Sequence, residues 1–184
     1  LTASTFHQLG LKIIRTERKL LGLKSGFSIF DGQDTQTLIK DLLIQEHGSD
    51  GDQASTIQNQ ISNWKNDRVL PEQAVAHAKS PAEILCAQAY RRYQRALKAY
   101  NALDFDDLIL LPTVLFEQNP DTLEKWQNTI HYLLVDEYQD TNSSQYLLVK
   151  QLVGVRGALT VVGDDDQSIY AWRGARPENL VQLQ

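Results

Sequence analysis

Two apolar runs that each break off at carboxylates constrain this chain more than any other feature. The first is Leu133-Leu134-Val135, followed by Asp136-Glu137-Tyr138-Gln139-Asp140; the second is Val161-Val162-Gly163, followed by Asp164-Asp165-Asp166-Gln167. Short apolar runs with polar or glycine borders read as buried strands, here residues 131–135 and 158–162. Residues 143–153 between them are mostly apolar and long enough for a helix, which Gly154 ends. Strand, helix and strand in this order make a βαβ unit with parallel strands and a right-handed crossover. In open α/β sheets, ligands gather outside the carboxyl ends of parallel strands. The acids therefore stand where a site belongs.

Asp136 and Glu137 suit magnesium-dependent nucleotide hydrolysis. One carboxylate can hold the metal that bridges the phosphates while its neighbour polarises or orients the attacking water. The simpler alternative is a bare strand end at which Asp140 or Asn142 starts the next helix. In the second run Gly163 permits a tight turn, Asp164 and Gln167 can point back into the cleft, and Tyr170, Trp172 and Arg173 bring aromatic and cationic groups close by. Stacking of a base on an aromatic ring is worth ~1–3 kcal/mol and tolerates any base. Tyr170 and Trp172 thus offer a footing for single-stranded nucleic acid, with Arg173 adding a phosphate contact or a stack. In the structural alternative Trp172 fills a gap beneath the loop and Arg173 pairs with a carboxylate.

Upstream the pattern is helical. Ser4 or Thr5 can cap a helix bearing Phe6, Leu9, Ile13, Ile14, Leu20 and Leu21, ended by Gly22. Its polar side sets Lys12, Arg15, Arg18 and Lys19 against the lone acid Glu17, a solvated face with nucleic-acid backbone contact as the alternative. After a β-like piece at 27–30, Asp34 is expected to cap a helix with Leu38, Ile39, Leu42 and Leu43 on one side. Ile57, Ile61 and Trp64 mark an amphipathic helix over residues 53–67. Pro71 and Pro81 open two more, the second reaching about residue 101. Its stripe of Cys86, Tyr90, Tyr93, Leu97 and Tyr100 reads as core rather than a base-stacking surface, while Arg91, Arg95 and Lys98 share another face near Arg92. Leu103-Asp104-Phe105-Asp106-Asp107 looks like a capped helix start, with metal binding the lesser reading; the helix should run to Phe116 through Pro112, and another should cover 121–127.

With 184 residues and 42% hydrophobic content, the chain can bury one core, or a core plus a small helical unit. A net charge of -5 excludes a global basic field, so nucleic-acid binding must rest on local faces and stacking. The single cysteine, Cys86, excludes an internal disulfide and fits a reducing compartment. No apolar run approaches the ~20 residues that cross a bilayer and no signal-peptide pattern opens the chain, so a cytoplasmic location without a membrane partner is expected. The absence of methionine and the start at Leu1 suggest an excerpt from a longer protein.

The strings VDEYQDTN and VVGDDDQSIYAWRGA resemble the second and third helicase motifs of superfamily 1 DNA helicases of the Rep, UvrD and PcrA kind. Thr5-Phe6-His7 resembles that family's short DNA-contacting motif, and the helical stretch with Ser62-Asn63-Trp64-Lys65-Asn66-Asp67 and Leu103-Asp104-Phe105-Asp106-Asp107-Leu108 is most similar to the Rep branch. The resemblance covers essentially the whole chain. It implies an α/β fold: a partial RecA-like parallel sheet of a P-loop NTPase motor domain carrying a largely helical inserted subdomain. It further implies an enzyme that moves 3′ to 5′ on single-stranded DNA and unwinds duplex at junctions with Mg-ATP, alongside replication or repair proteins. By the same resemblance Asp136 binds magnesium, Glu137 is the catalytic base, Gln167 senses the terminal phosphate, and Gln139 and Asp164 belong to the nucleotide network. Thr5, Phe6, His7, Tyr170, Trp172 and Arg173 would line the single-strand path, with one short loop, residues 164–173, running from phosphates to bases.

The family pattern is incomplete here. The only Lys-Ser pairs, Lys24-Ser25 and Lys79-Ser80, follow no glycine, so the phosphate-cradling G-x-x-x-x-G-K-[ST] loop is absent. The later motifs are absent too, among them an arginine worth roughly 10³ to 10⁵ in rate in comparable hydrolases. The chain alone is therefore expected to be inactive and its parent active. Residues 1–104 are expected to form the helical inserted subdomain with the DNA-contacting motif at its start, and 105–184 the C-terminal part of the first motor domain. Two alternatives stand beside this: the motor part of a helicase-nuclease subunit, and a non-enzymatic helical interaction module whose acidic loops are structural.

Overall fold

The computed structural model describes residues 2–48, 53–129, 132–136, 142–153, 158–162 and 169–173. In chain order the elements are β1 (Thr2–Ser4), α1 (Phe6–Thr16), β2 (Ser28–Phe30), α2 (Gly32–His47), α3 (Ala54–Asn66), α4 (Pro71–His77), α5 (Pro81–Ala99) and β3 (Ala102–Asp104). They continue with α6 (Asp107–Gln118), α7 (Pro120–Thr129), β4 (Tyr132–Asp136), α8 (Ser143–Val153), β5 (Ala158–Val162) and β6 (Ile169–Arg173). Contacts group the chain into two units: Leu1–Leu21 with Leu108–Gln184, and Gly22–Asp107.

The first unit holds a four-stranded sheet in the order β1-β4-β5-β6. β1, β4 and β5 are parallel, while β6 runs antiparallel to β5. The βαβ unit read from the sequence is present as β4, α8 and β5. α1 follows β1 directly. Thr5 caps it, and its buried residues Phe6, Leu9, Gly10, Ile13 and Ile14 recur at i, i+3, i+4, i+7 and i+8, the helical core-facing spacing. They pack with Ile109, Phe116, Trp126, Leu148 and Leu152 among others. The helix ends at Thr16 rather than at Gly22, with Glu17 as its C-cap. Glu17 is not part of a solvated face: it is only 7% exposed, and Trp126 Nε1 donates to its carboxylate at 2.8 Å.

The second unit is helical around a two-stranded parallel sheet, β2 with β3. The cap of α2 is Asp31 rather than Asp34: Asp34 N–H donates to Asp31 Oδ1 at 2.8 Å, and Asp34 returns an acceptor to Asp31 N–H at 3.2 Å. This reciprocal box satisfies two helix-end donors at once, which an isolated cap at Asp34 could not do. The helix closes at Gly48, whose φ of 61° lies in the left-handed region that glycine adopts without strain. On α5 the stripe is core as expected, with Tyr90, Tyr93 and Leu97 buried, but Tyr100 lies beyond the helix end and is 63% exposed. Residues 102–104 form a strand instead of opening a helix. Asp104 still caps the helix that follows, its Oδ1 accepting from Asp107 N–H at 2.9 Å.

Lys65 sits at the centre of this unit, 1% exposed. Its Nζ lies 2.6 Å from Asp104 Oδ2 and 2.9 Å from Asp107 Oδ1, and the Tyr93 hydroxyl donates to Asp104 at 2.8 Å. Burial alone would lower the lysine pKa, but Asp107 and Asp104 outweigh it and keep the ammonium charged. Two carboxylates share this one cation unequally. Burial and the neighbouring Asp104 push Asp107 up to about 6. For Asp104, burial is outweighed by Lys65 and by the hydrogen bonds it accepts, so its pKa falls below the ordinary value. The ammonium thus takes the place a metal would hold in the lesser reading of these acids. Among the described residues no group of three or more His, Cys, Asp or Glu is placed to hold a metal ion.

Candidate functional site

Three parallel strands deliver their carboxyl ends to one edge of the sheet. Ser4 of β1 pairs with Val135 of β4, and Asp136 of β4 pairs with Val162 of β5. Thr5, Asp136 and the chain leaving Val162 therefore emerge within one register step of each other, on strands spaced about 5 Å apart. This is the edge at which open α/β sheets hold ligands. A carboxylate at that position is a hard oxygen donor of the kind magnesium takes, so the chemistry of Asp136 fits the metal. Glu137, Gln139, Asp164 and Gln167 lie outside the described residues.

The three residues at the start of α1 differ in what they offer. Thr5 is exposed; its hydroxyl accepts from Gln8 N–H at 3.1 Å, and Gln8 Oε1 accepts from Thr5 N–H at 3.1 Å. The box satisfies the N–H groups of Thr5 and Gln8 at the N-terminus of α1, where the helix dipole favours negative charge. Phe6 points the other way: at 5% exposure it is a core side chain, packed with the residues around Leu9 and Ile13. His7 is half-buried, and burial lowers its pKa, which leaves the imidazole neutral at neutral pH.

Tyr170, Trp172 and Arg173 lie on a strand, which corrects the expectation of a single loop over residues 164–173. The sequence Ile-Tyr-Ala-Trp-Arg is rich in strand formers, and β5 supplies a partner for every one of its residues. Ile169 is level with Val162 at the ligand edge, and Arg173 is level with Ala158 at the far end. Four strand steps put Arg173 about 14 Å along β6 from that edge. Tyr170 and Trp172 occupy alternate positions of the same parity, and Arg173 the other.

The whole chain, residues 1–184, matches the family model described as the UvrD/REP helicase N-terminal domain. The chain belongs to the UvrD/Rep helicase family. Among similar proteins, the ATP-dependent DNA helicase Rep of Salmonella typhimurium is 56% identical over 183 residues, which is 100% of this chain and 27% of that protein. The ATP-dependent DNA helicase Rep of Escherichia coli is 55% identical over 183 residues, again 100% of this chain and 27% of the relative. The ATP-dependent DNA helicase PcrA of Staphylococcus epidermidis is 43% identical over 182 residues, 98% of this chain and 25% of the relative. The chain spans about a quarter of the length of the curated relatives it matches.

Two residues of this UvrD/Rep family chain, Lys65 and Glu17, are buried charges. Lys65 falls at i+4 from Ile61 and i+8 from Ile57, so its place on the apolar face was legible from spacing, but its charge argued against burial. Glu17 had no local signal, because its partners lie 108 and 109 residues away.

Proposed function

We propose that this chain is part of an ATP-dependent DNA helicase of the Rep kind. Residues 1–21 and 108–184 would contribute to the first RecA-like motor domain, a P-loop NTPase, and residues 22–107 would be its helical insertion. The observation that carries this is the common edge of β1, β4 and β5. In support, Ser4 pairs with Val135, so Thr5 leaves β1 level with Asp136 at the end of β4, in a chain that matches the helicase family throughout.

Asp136 would hold magnesium, which neutralises charge on the nucleotide phosphates when bound. Glu137 takes a proton from the attacking water, and Gln167 contacts the terminal phosphate, with Gln139 and Asp164 orienting these groups. Thr5, Phe6, His7, Tyr170, Trp172 and Arg173 serve the single-strand path, Phe6 from within the core as support for its neighbours and the aromatic pair by stacking. The phosphate-cradling loop comes from the remainder of the parent protein. The parent moves 3′ to 5′ on single-stranded DNA, opens duplex junctions in replication or repair, meets proteins of those processes, and works in the cytoplasm.

The test is ATP turnover by the full-length parent with and without single-stranded DNA. Glu137→Gln should abolish DNA-stimulated turnover while ATP binding persists, and the isolated 184-residue chain should show no appreciable turnover. Undiminished hydrolysis by the Glu137→Gln protein would overturn the assignment.

A further inference from the structure

Glu17 is an acid in the wrong place by local rules. It caps the C-terminus of α1, where the helix dipole disfavours negative charge, and it is buried. A buried carboxylate is retained only with compensating partners. Here they are the Trp126 indole N–H at 2.8 Å and the Lys125 ammonium, both from α7.

These contacts close a loop of structure. β1 leads into α1, and α7 is followed two residues later by β4. β1 and β4 are hydrogen-bonded neighbours, Thr2 to Ser4 against Leu133 to Val135. The pairs β1–α1 and α7–β4 are therefore joined at the sheet and again at the far end of α1, one helix length or about 17 Å from Thr5. Between the two joints the backbone of Gly10 lies directly against the Leu108 carbonyl. A helix anchored at both ends transmits displacement as a rigid rod.

We propose that Glu17, held by Trp126 and Lys125, is a positioning residue that couples the DNA-facing start of α1 to the nucleotide-facing end of β4. The inference rests on the helicase assignment above. Buried at the far end of α1, Glu17 sets the orientation of that helix relative to the strand that carries Asp136.

The experiment uses the full-length parent carrying Trp126→Phe, which keeps an aromatic side chain but loses the indole N–H, and separately Glu17→Gln, which keeps the shape and loses the charge. ATP turnover is measured with and without single-stranded DNA, together with DNA affinity and the thermal midpoint. Both variants should keep DNA-independent turnover and DNA affinity close to wild type, while the maximal DNA-stimulated rate falls roughly three- to tenfold, the range of typical coupling effects. The double variant should lose little more than the worse single one, because both changes break one joint. Unchanged DNA stimulation in both folded single variants would overturn the proposal. So would a parallel loss of DNA-independent turnover and thermal midpoint, which marks a merely structural contact. Absence of DNA stimulation in the wild-type parent would instead remove the helicase assignment on which the proposal stands.

Discussion

The backbone of Gly10 in α1 lies directly against the carbonyl of Leu108 in α6, so closely that a β-carbon on Gly10 would stand 1.8 Å from the oxygen. Residue 112, the helical donor to that carbonyl, is proline and has no N–H to give. The first turn of α6 therefore presents a carbonyl outward, and only a residue without a side chain lets α1 come down upon it. Gly10→Ala should destabilise the protein by about 1–3 kcal/mol, the usual cost of forcing extra volume into a packed interior, since backbone cannot swing aside as a side chain can. A denaturant titration reads it as a lower midpoint at unchanged slope; an unmoved midpoint would show that α1 has room to retreat.

Lys65 gives a larger effect. Lys65→Met leaves Asp104 and Asp107 buried without their cation, and breaking such a pair costs about 3–5 kcal/mol. Adding Asp104→Asn and Asp107→Asn removes the stranded charges, so the triple variant should recover part of the loss. Equal midpoints for single and triple variants would refute the charge argument.

Asp107 links this network to pH. Its carboxyl in the folded protein titrates at about 6, above the ordinary 3.8, because burial and Asp104 disfavour the ionised form. A raised carboxyl binds its proton more tightly when folded, so its contribution to stability is present below about pH 4 and is lost as pH rises through 6. Asp104, shifted the other way, acts at lower pH, losing its contribution as pH falls beneath the ordinary carboxylate range. Stability measured from pH 7 down to pH 5 should therefore rise for the wild type relative to Asp107→Asn. Parallel pH profiles for the two proteins would contradict the raised carboxyl.

Thr5 separates structure from DNA contact. Its hydroxyl already accepts from Gln8 N–H, so Thr5→Ala should cost ~1 kcal/mol through the lost cap, and Thr5→Ser very little. Thermal melts of the two variants test this before any DNA is added; similar midpoints for alanine and serine would show that the cap contributes nothing.

Trp172 carries the stacking expectation. In the full-length parent Trp172→Ala should weaken single-strand binding by ~1–3 kcal/mol, the value of one lost base stack, at fixed salt. A fluorescence titration with an oligonucleotide measures it, and an unchanged dissociation constant would take Trp172 out of the strand path.

The sequence alone determined the elements whose signals are local. Apolar runs cut short by acids marked β4 and β5, the apolar stretch between them marked α8, and the spacing from Phe6 to Ile14 marked α1. The carboxylates at the strand ends were legible for the same reason, because a buried run cannot continue through charge. What only the tertiary structure decided depends on partners distant along the chain. A three-residue strand such as Ala102–Asp104 carries no periodicity and exists because Ser28–Phe30 lies beside it. Residues 169–173 became a strand because β5 offered an unpaired edge. Glu17 and Lys65 were legible as charges and not as interior groups, since burial of a charge is tolerable only once its counter-charges are in place. Those arrive from α7 and from Asp104 and Asp107, and only the completed fold brings them there.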